Sequence, residues 1–280
     1  MNLWKMELFY LFRSWRGWTL LTAFMLASIL SIVTGILIER VGDFSYAQAI
    51  EFYELYSLIG TLLFIGIFVT ALSFDGNRDS SIFLRTRFSM SQILITKLLV
   101  YFLLAEVIFF LGFTISFIVG RILFDSSDTI SVNWMLWGLL LRWVSSMFYV
   151  SLMLFTSSVF RGAVASVLLT LAVMIGIPII GSMLSALELL MRGLIETPPD
   201  KWASVSYVSK ILLWWPASLS DTEAFLSVTQ SEIAAEKISS AFGESFDLDP
   251  HFRRKPLIST LVVSPFLALF AWRIYSRREV

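Results

Sequence analysis

The 280-residue chain contains no cysteine and a single histidine, His251. Without cysteine it forms no disulfide, holds no thiolate-bound metal and offers no cysteine nucleophile. One histidine without clustered cysteines or further histidines is a poor basis for a metal site. The chain also lacks the phosphate-binding pattern Gly-x-x-x-x-Gly-Lys-Ser/Thr and the hydrolase patterns Gly-x-Ser-x-Gly and His-Glu-x-x-His. We therefore expect no enzyme activity, no bound cofactor and no metal in this chain itself.

Charge is scarce as well. Charged residues make up 15% of the chain and hydrophobic residues 57%, whereas soluble proteins average about 25% charged and roughly 45–50% apolar residues. The 21 basic and 21 acidic residues balance, so there is no excess positive charge that would attract nucleic acid. The composition is typical of a membrane protein, and we expect no nucleic-acid partner.

The apolar residues are concentrated in six long segments. Crossing ~30 Å of hydrocarbon at ~1.5 Å per residue takes about 20 residues. Lipid offers the backbone no hydrogen-bond partners, so a segment of this kind is expected to be helical. We therefore predict an all-α membrane protein with six transmembrane helices. The predicted spans are 18–38, 55–74, 98–119, 134–160, 163–187 and 257–275.

The charges between the spans predict the orientation. Short loops rich in Lys and Arg stay on the cytoplasmic side. With a cytoplasmic N-terminus, the inner segments carry most of the basic residues, while the short outer loops are mainly acidic. We expect a multi-pass protein of the plasma (cytoplasmic) membrane with both termini cytoplasmic. The inner basic residues are Lys5, Arg13, Arg16, Arg78, Arg85, Arg87, Lys97, Arg161, Arg273, Arg277 and Arg278.

Residues 1–16 predict a helix that lies on the membrane surface. At 100° per residue, one face carries apolar side chains and the opposite face carries basic ones, as suits the inner leaflet interface. The alternative is a frayed cytoplasmic extension of the first span. The apolar face comprises Trp4, Leu8, Leu11, Trp15 and Trp18, and the basic face comprises Lys5, Arg13 and Arg16.

The loop at 75–97, after the second span, contains an apolar triplet in basic surroundings. Asp79 or Ser80 can cap a short helix, which would present the triplet Ile82, Phe83 and Leu84 to the cytosol. An exposed apolar patch of this kind indicates a docking surface. The alternative is a hairpin that lies on the lipid headgroups. A second short run, 89–97, leads back into the membrane.

With these features the chain resembles the permease subunits of ABC-2 type exporters. Members have an amphipathic N-terminal helix, six spans with both ends inside, and a first cytoplasmic loop that docks on an ATPase. In this chain the loop frame is occupied by residues 79–86 and 88–97. Ser80-Ser81 stands where the family has Gly-Thr, Phe88 replaces a proline and Thr96 replaces the glycine before Lys97. The coupling residues that the resemblance implies are Asp79, Ser80, Ser81, Ile82, Phe83, Leu84, Arg85 and Arg87.

The resemblance implies a single permease domain over 1–280 that forms half of an export path. Its partners would be a second permease copy, in a homodimer or a related heterodimer, a separate ABC ATPase subunit that binds ATP and Mg, and membrane lipids. The few polar side chains favour a lipid-like or amphipathic cargo. Two other interpretations remain, a stand-alone secondary transporter or channel and a non-transporting membrane anchor of a complex.

Two ionisable residues lie inside predicted spans, Glu106 in the third and Arg142 in the fourth. Charges at this depth are costly and normally face a partner or a watery cavity. We interpret them as a structural pair, with a role in lining the transport path as the alternative. In the fifth span we predict a helix kink at Pro178, because proline lacks a backbone N–H and its ring crowds the preceding turn. The kink could serve a moving gate or only helix packing.

Residues 188–256 form a large extracytoplasmic excursion between the fifth and sixth spans. Within it, 201–215 is rich in aromatic residues but too short and too polar to cross the membrane. Its aromatic side chains suit the outer interface, and the resemblance places a re-entrant or membrane-lying segment here, on the exit side. The residues that mark this segment are Trp202, Tyr207, Trp214 and Trp215.

Overall fold

A computed structural model describes residues 3–40, 44–72, 88–124, 132–160, 162–194, 205–212, 214–216 and 254–277. The described part of the chain is helical and contains no β-strand, which confirms the all-α prediction there. The helices are α1 (Leu3–Arg13), α2 (Trp15–Glu39), α3 (Tyr46–Leu72), α4 (Met90–Leu123), α5 (Val132–Val159), α6 (Ala163–Leu171), α7 (Ile177–Met191), α8 (Tyr207–Leu212) and α9 (Arg254–Arg277). A π-helix, Ala172–Gly176, joins α6 to α7.

Five helical stretches are long and apolar enough to cross a membrane. They are Trp15–Glu39, Gln48–Ala71, Ser91–Leu123, Ala163–Met191 and Leu257–Arg277. Helix α5 covers the remaining predicted span with 28 helical residues, of which Ser146–Val159 counts as a shorter apolar helix. A multi-pass membrane protein is therefore supported, while the sixth crossing stays a prediction.

The N-terminal helix α1 is separate from α2, the first candidate span, because the helix is interrupted at Ser14, whose backbone is extended. Its buried face differs from the predicted apolar stripe. The stripe residues Trp4 and Leu8 are exposed, and the buried residues are Leu3, Glu7 and Leu11, spaced four apart. This face packs against α2 and α4. The side chains that pack on protein share Leu11 with the predicted stripe and include an acid, while Trp4 and Leu8 stay exposed, as side chains directed at lipid would be.

Helix α4 is longer than the predicted third span. A capping box at its start pairs Ser89 with Gln92: the Gln92 backbone N–H donates to Ser89 Oγ, and the Ser89 backbone N–H donates to Gln92 Oε1. The predicted short run 89–97 is thus the first part of one 34-residue helix. At 1.5 Å per residue this helix is about 50 Å long, so it projects beyond ~30 Å of hydrocarbon.

Polar and small side chains hold α2, α3 and α4 close together. Ser28 Oγ donates to the Gly112 carbonyl oxygen at 2.8 Å, and the Tyr53 hydroxyl donates to the Phe109 carbonyl oxygen at 2.7 Å. A Cβ at Gly112 would lie 2.5 Å from the Tyr53 hydroxyl oxygen. Small residues and hydroxyl-to-backbone hydrogen bonds are how membrane helices approach closely, since burial from water supplies little force there.

The chain divides into two compact units. The first comprises 1–129, 150–168 and 266–280, and the second comprises 130–149 and 169–265. In the first unit, α2, α3 and α4 form the core and α1 packs on it. In the second unit, the short helix α8 packs on α7.

Candidate functional site

The first turns of α4 form a junction with several other helices of the first unit. Lys97 Nζ lies 3.5 Å from Glu7 Oε1 in α1, and both side chains are largely buried, with 12% and 6% of their surface exposed. The same ammonium donates to the Ala71 carbonyl oxygen at 3.0 Å. We call Glu7, Lys97 and the Ala71 carbonyl the inner junction. It joins α1, α3 and α4 through one cation.

The position of Ala71 explains why a lysine suits the junction. Ala71 is the penultimate residue of α3, so its carbonyl is one of the last four that a helix leaves without an internal partner. The C-terminal end of a helix carries partial negative charge, which favours a cation. Lys97 therefore neutralises both a carboxylate and a helix terminus. Without Lys97, both acceptors would face a largely buried environment, which is costly.

Two further contacts hold the same end of α4. The Arg16 side chain, at the start of α2, interacts with Tyr101, one turn after Lys97. The Trp272 indole N–H of α9 donates to Ser91 Oγ at 2.8 Å. Helices α1, α2, α3 and α9 thus all contact the first three turns of α4. Arg16 and Trp272 belong to the predicted cytoplasmic end, as do the basic residues around them.

The predicted coupling residues lie outside the described residues. Asp79, Ser80, Ser81, Ile82, Phe83, Leu84, Arg85 and Arg87 all fall in 73–87, between the end of α3 and the start of α4. The inner junction binds both flanking helices, because Ala71 precedes this segment and Lys97 follows it.

Of the two ionisable residues predicted to lie inside spans, the structure describes the side chain of Glu106 but not that of Arg142. Glu106 is buried in α4, with 5% of its surface exposed. It lies nine residues after Lys97, about 14 Å along the helix. Arg142 belongs to α5, and its side chain lies outside the described residues. The pairing of Glu106 with Arg142 stays a prediction.

Pro178 follows directly on a change of backbone geometry. The π-helix Ala172–Gly176 ends two residues before it, and Pro178 is in the first turn of α7. Proline has no N–H to donate and its ring crowds the preceding turn. A π-helical turn is one way for a helix to accommodate this, and such turns are frequent at functional sites. The sequence pattern located the irregularity without predicting its π-helical form.

Part of the predicted exit-side segment forms the short helix α8. Trp202 lies outside the described residues, whereas Tyr207 and Trp214 are exposed and Trp215 packs edge-on against Phe148. Glu188 in α7 holds the start of α8. Its carboxylate accepts from the Ser206 hydroxyl at 2.6 Å and from the Tyr207 and Val208 N–H groups at 3.0 Å each.

The contacts of α8 show that it runs back along α7. Its start lies beside Glu188, and the side chain of Leu212 at its end lies over Gly181. Seven residues of α7 separate these two points, which is about 10 Å along a helix. Because both points belong to the apolar stretch Ala163–Met191, α8 packs alongside a membrane-spanning helix rather than away from it.

Sequence reasoning did not single out Glu7, Glu188 or Arg192 as functional residues. For Glu7 a signal was present, since it is an acid on a basic inner side and shares a four-residue spacing with Leu3 and Leu11. Glu188 and Arg192 are four apart at the end of a span and form an ion pair at 2.7 Å.

Comparisons of this chain with protein-family models, with curated proteins and with solved structures find no match.

Proposed function

We propose that this chain is the membrane-spanning permease subunit of an ATP-driven exporter of the ABC-2 type. It forms the translocation path as a dimer with a second permease copy and is coupled to separate ATPase subunits that bind ATP and Mg. The cargo is lipid-like or amphipathic. Both termini and the 75–97 loop lie on the cytoplasmic side of the plasma membrane, an orientation supported by the basic residues of these segments.

The inner junction is the observation that carries this proposal. A permease that takes energy from a separate subunit needs a mechanical connection between its cytoplasmic docking segment and its spans. Lys97, the last residue of the predicted coupling loop, contacts Glu7 and the Ala71 carbonyl. Movement of the docking segment would therefore shift α4 together with α1 and the end of α3. Helix α4 also carries Glu106, deeper in the membrane.

The docking surface is the apolar triplet Ile82, Phe83 and Leu84. Burial of one such large side chain against a partner contributes ~1.5–3 kcal/mol. In Phe83→Asp the free energy gained by burying the phenyl ring is lost, and binding would instead require removing water from a carboxylate. The ATPase should therefore dissociate. Asn77→Asp is the matched control, because it adds the same charge to the same loop but lies outside the predicted coupling residues.

The experiment purifies the wild-type chain and both variants from membranes with their associated proteins and measures ATP hydrolysis after reconstitution. The proposal expects a Walker-motif subunit and ATP hydrolysis with the wild-type chain and with Asn77→Asp, and neither with Phe83→Asp. Equal association and equal hydrolysis for Phe83→Asp would show that this segment does not dock the ATPase. An associated ATPase without ATP-dependent flux would favour the membrane-anchor interpretation.

Burial of Glu106 within α4 favours a second candidate function, a proton-coupled secondary transporter. A carboxyl group inside a span is a common part of a proton path. This candidate requires transport driven by a pH gradient in proteoliposomes that contain this chain alone, and loss of that transport in Glu106→Gln. Transport that requires an added ATPase subunit and ATP would exclude it.

A further inference from the structure

Two cations flank the exposed ring of Tyr207 at the start of α8. The Arg192 guanidinium carbon lies 4.3 Å from the ring centroid, and Lys210 Nζ lies 5.5 Å from it. We call Arg192, Tyr207 and Lys210 the cationic lip. All three residues belong to the second unit and lie where α7 ends and α8 begins.

The cationic lip lies at the end of a helical stretch that is long and apolar enough to cross a membrane. Helix α7 ends at Met191, the last residue of an apolar stretch long enough to cross the membrane. The backbone N–H of Tyr207 donates to Glu188, less than one turn before that end. Lys210 is one turn further along α8, where the helix runs back beside α7. Its long side chain returns its ammonium group to the Tyr207 ring, as lysines do near a membrane boundary.

The charges at the lip do not cancel. Arg192 pairs with Glu188 at 2.7 Å and also donates to the Val205 carbonyl oxygen at 3.3 Å. The Glu188 carboxylate is further occupied by Ser206 and by two backbone N–H groups. Within the described residues, Lys210 forms no ion pair. Two cations and one carboxylate leave one net positive charge, centred on Lys210.

The surroundings of Lys210 are apolar and open. Tyr207 and Ile211 have 63% and 71% of their surface exposed, and Trp214 is also exposed. These three residues, spaced four and three apart, share one face of this segment. Tyr and Trp side chains favour the level of the lipid headgroups because their rings combine an apolar body with a polar edge. The open face thus fits the boundary of a lipid layer, with acyl chains beside Ile211 and headgroups beside the cations.

We propose that the cationic lip binds the phosphate group of an anionic phospholipid in the leaflet at which α7 ends. Lys210 supplies the main charge, and Arg192 adds a second cation in contact with the same Tyr207 ring. The acyl chains of the bound lipid lie along the face of Ile211 and Trp214. This inference does not depend on an ATPase partner, so it can be tested on the permease alone.

The test uses the absence of native cysteine. Ile211→Cys, labelled with a nitrobenzoxadiazole fluorophore, serves as a reporter beside Lys210 in proteoliposomes. A spin-labelled phospholipid with a phosphatidylglycerol headgroup and one with a phosphatidylcholine headgroup are added in turn at the same mole fraction. One cation near an anionic membrane surface enriches anionic lipid roughly fivefold. We expect phosphatidylglycerol to quench the reporter more strongly, in keeping with an enrichment of that order.

Variants at Lys210 separate lipid binding from a change of helix position. Lys210→Gln should lower quenching by phosphatidylglycerol to the level of phosphatidylcholine. Lys210→Arg should keep the preference, because arginine binds phosphate at least as well. A second reporter at Val164, exposed near the other end of the same span, should not respond to Lys210→Gln. Equal quenching by the two lipids in the Ile211→Cys protein, or a preference that survives Lys210→Gln, would overturn the proposal.

Discussion

The side chain of Leu212 occupies the space directly over Gly181, so that a methyl group on Gly181 would overlap both of its terminal carbons. This contact fixes how closely α8 lies against α7. The buried face of α7 continues through Ser185 and Leu189 at four-residue spacing. Ser185 is hydrogen-bonded to Ser206 at 2.9 Å and to Ser209 at 2.6 Å. Where the two helices meet, a glycine and hydrogen-bonded serines take the place of large side chains, so the helices can approach closely, as at other helix contacts in membranes.

The first prediction is that Gly181→Val displaces α8 from α7. Overpacking a close contact costs about 1–3 kcal/mol, which corresponds to roughly 5- to 150-fold faster amide exchange over 207–212. Hydrogen exchange with mass spectrometry measures this directly. Gly176→Val is the matched control, because a Cβ at Gly176 meets nothing within 4 Å. Unchanged exchange over 207–212 in Gly181→Val would contradict the packing.

The second prediction concerns the inner junction. Lys97→Met leaves the buried Glu7 carboxylate and the Ala71 carbonyl without their shared ammonium partner. Losing one partner of a buried pair costs roughly 3–5 kcal/mol. Glu7→Gln should cost less, because Lys97 keeps the Ala71 carbonyl as an acceptor. The double variant Glu7→Gln/Lys97→Met should be more stable than the sum of the two single losses implies.

Melting temperatures in detergent measure these stabilities. Lys5→Met is the control, since Lys5 is exposed on the same helix and its loss should change the melting temperature little. Additive losses for Glu7 and Lys97, or a larger loss in Glu7→Gln than in Lys97→Met, would argue against the junction.

The third prediction treats Glu106 and Arg142 as a structural pair. A lone charge near the middle of the bilayer costs roughly 2.5–3.5 kcal/mol on insertion scales. Glu106→Gln or Arg142→Gln should therefore destabilise the protein more than the double variant does. The measurement is thermal unfolding of all three in detergent. Simple addition of the two losses, together with selective loss of transport in Glu106→Gln, would instead place Glu106 on the transport path.

The fourth prediction concerns topology. Cysteines introduced at Ser81 and Ser239 should differ in labelling by a membrane-impermeant thiol reagent added to intact cells. Position 239, in the predicted extracytoplasmic excursion, should be labelled, whereas position 81, in the predicted cytoplasmic loop, should be labelled only after the cells are opened. The reverse pattern would overturn the orientation and with it the transport proposal.

The sequence alone was enough to predict the helical membrane class, since runs of about 20 apolar residues have few alternatives in lipid. It also located the break before the first span, the irregularity at Pro178 and the short aromatic segment after the fifth span. Each of these depends on local chemistry: an apolar run, a missing N–H, or rings with a polar edge. Such features do not require knowledge of which helices are neighbours.

Tertiary structure decided which charged residues meet. Glu7 and Lys97 are 90 positions apart, and Lys97 also binds the end of a third helix, so no local pattern could pair them. The buried face of α1 likewise passes through Glu7, because this face packs on α2 and α4, while Trp4 and Leu8 of the predicted stripe stay exposed. Apolar sequence determines that a segment enters the membrane, but helix packing determines what each charge touches.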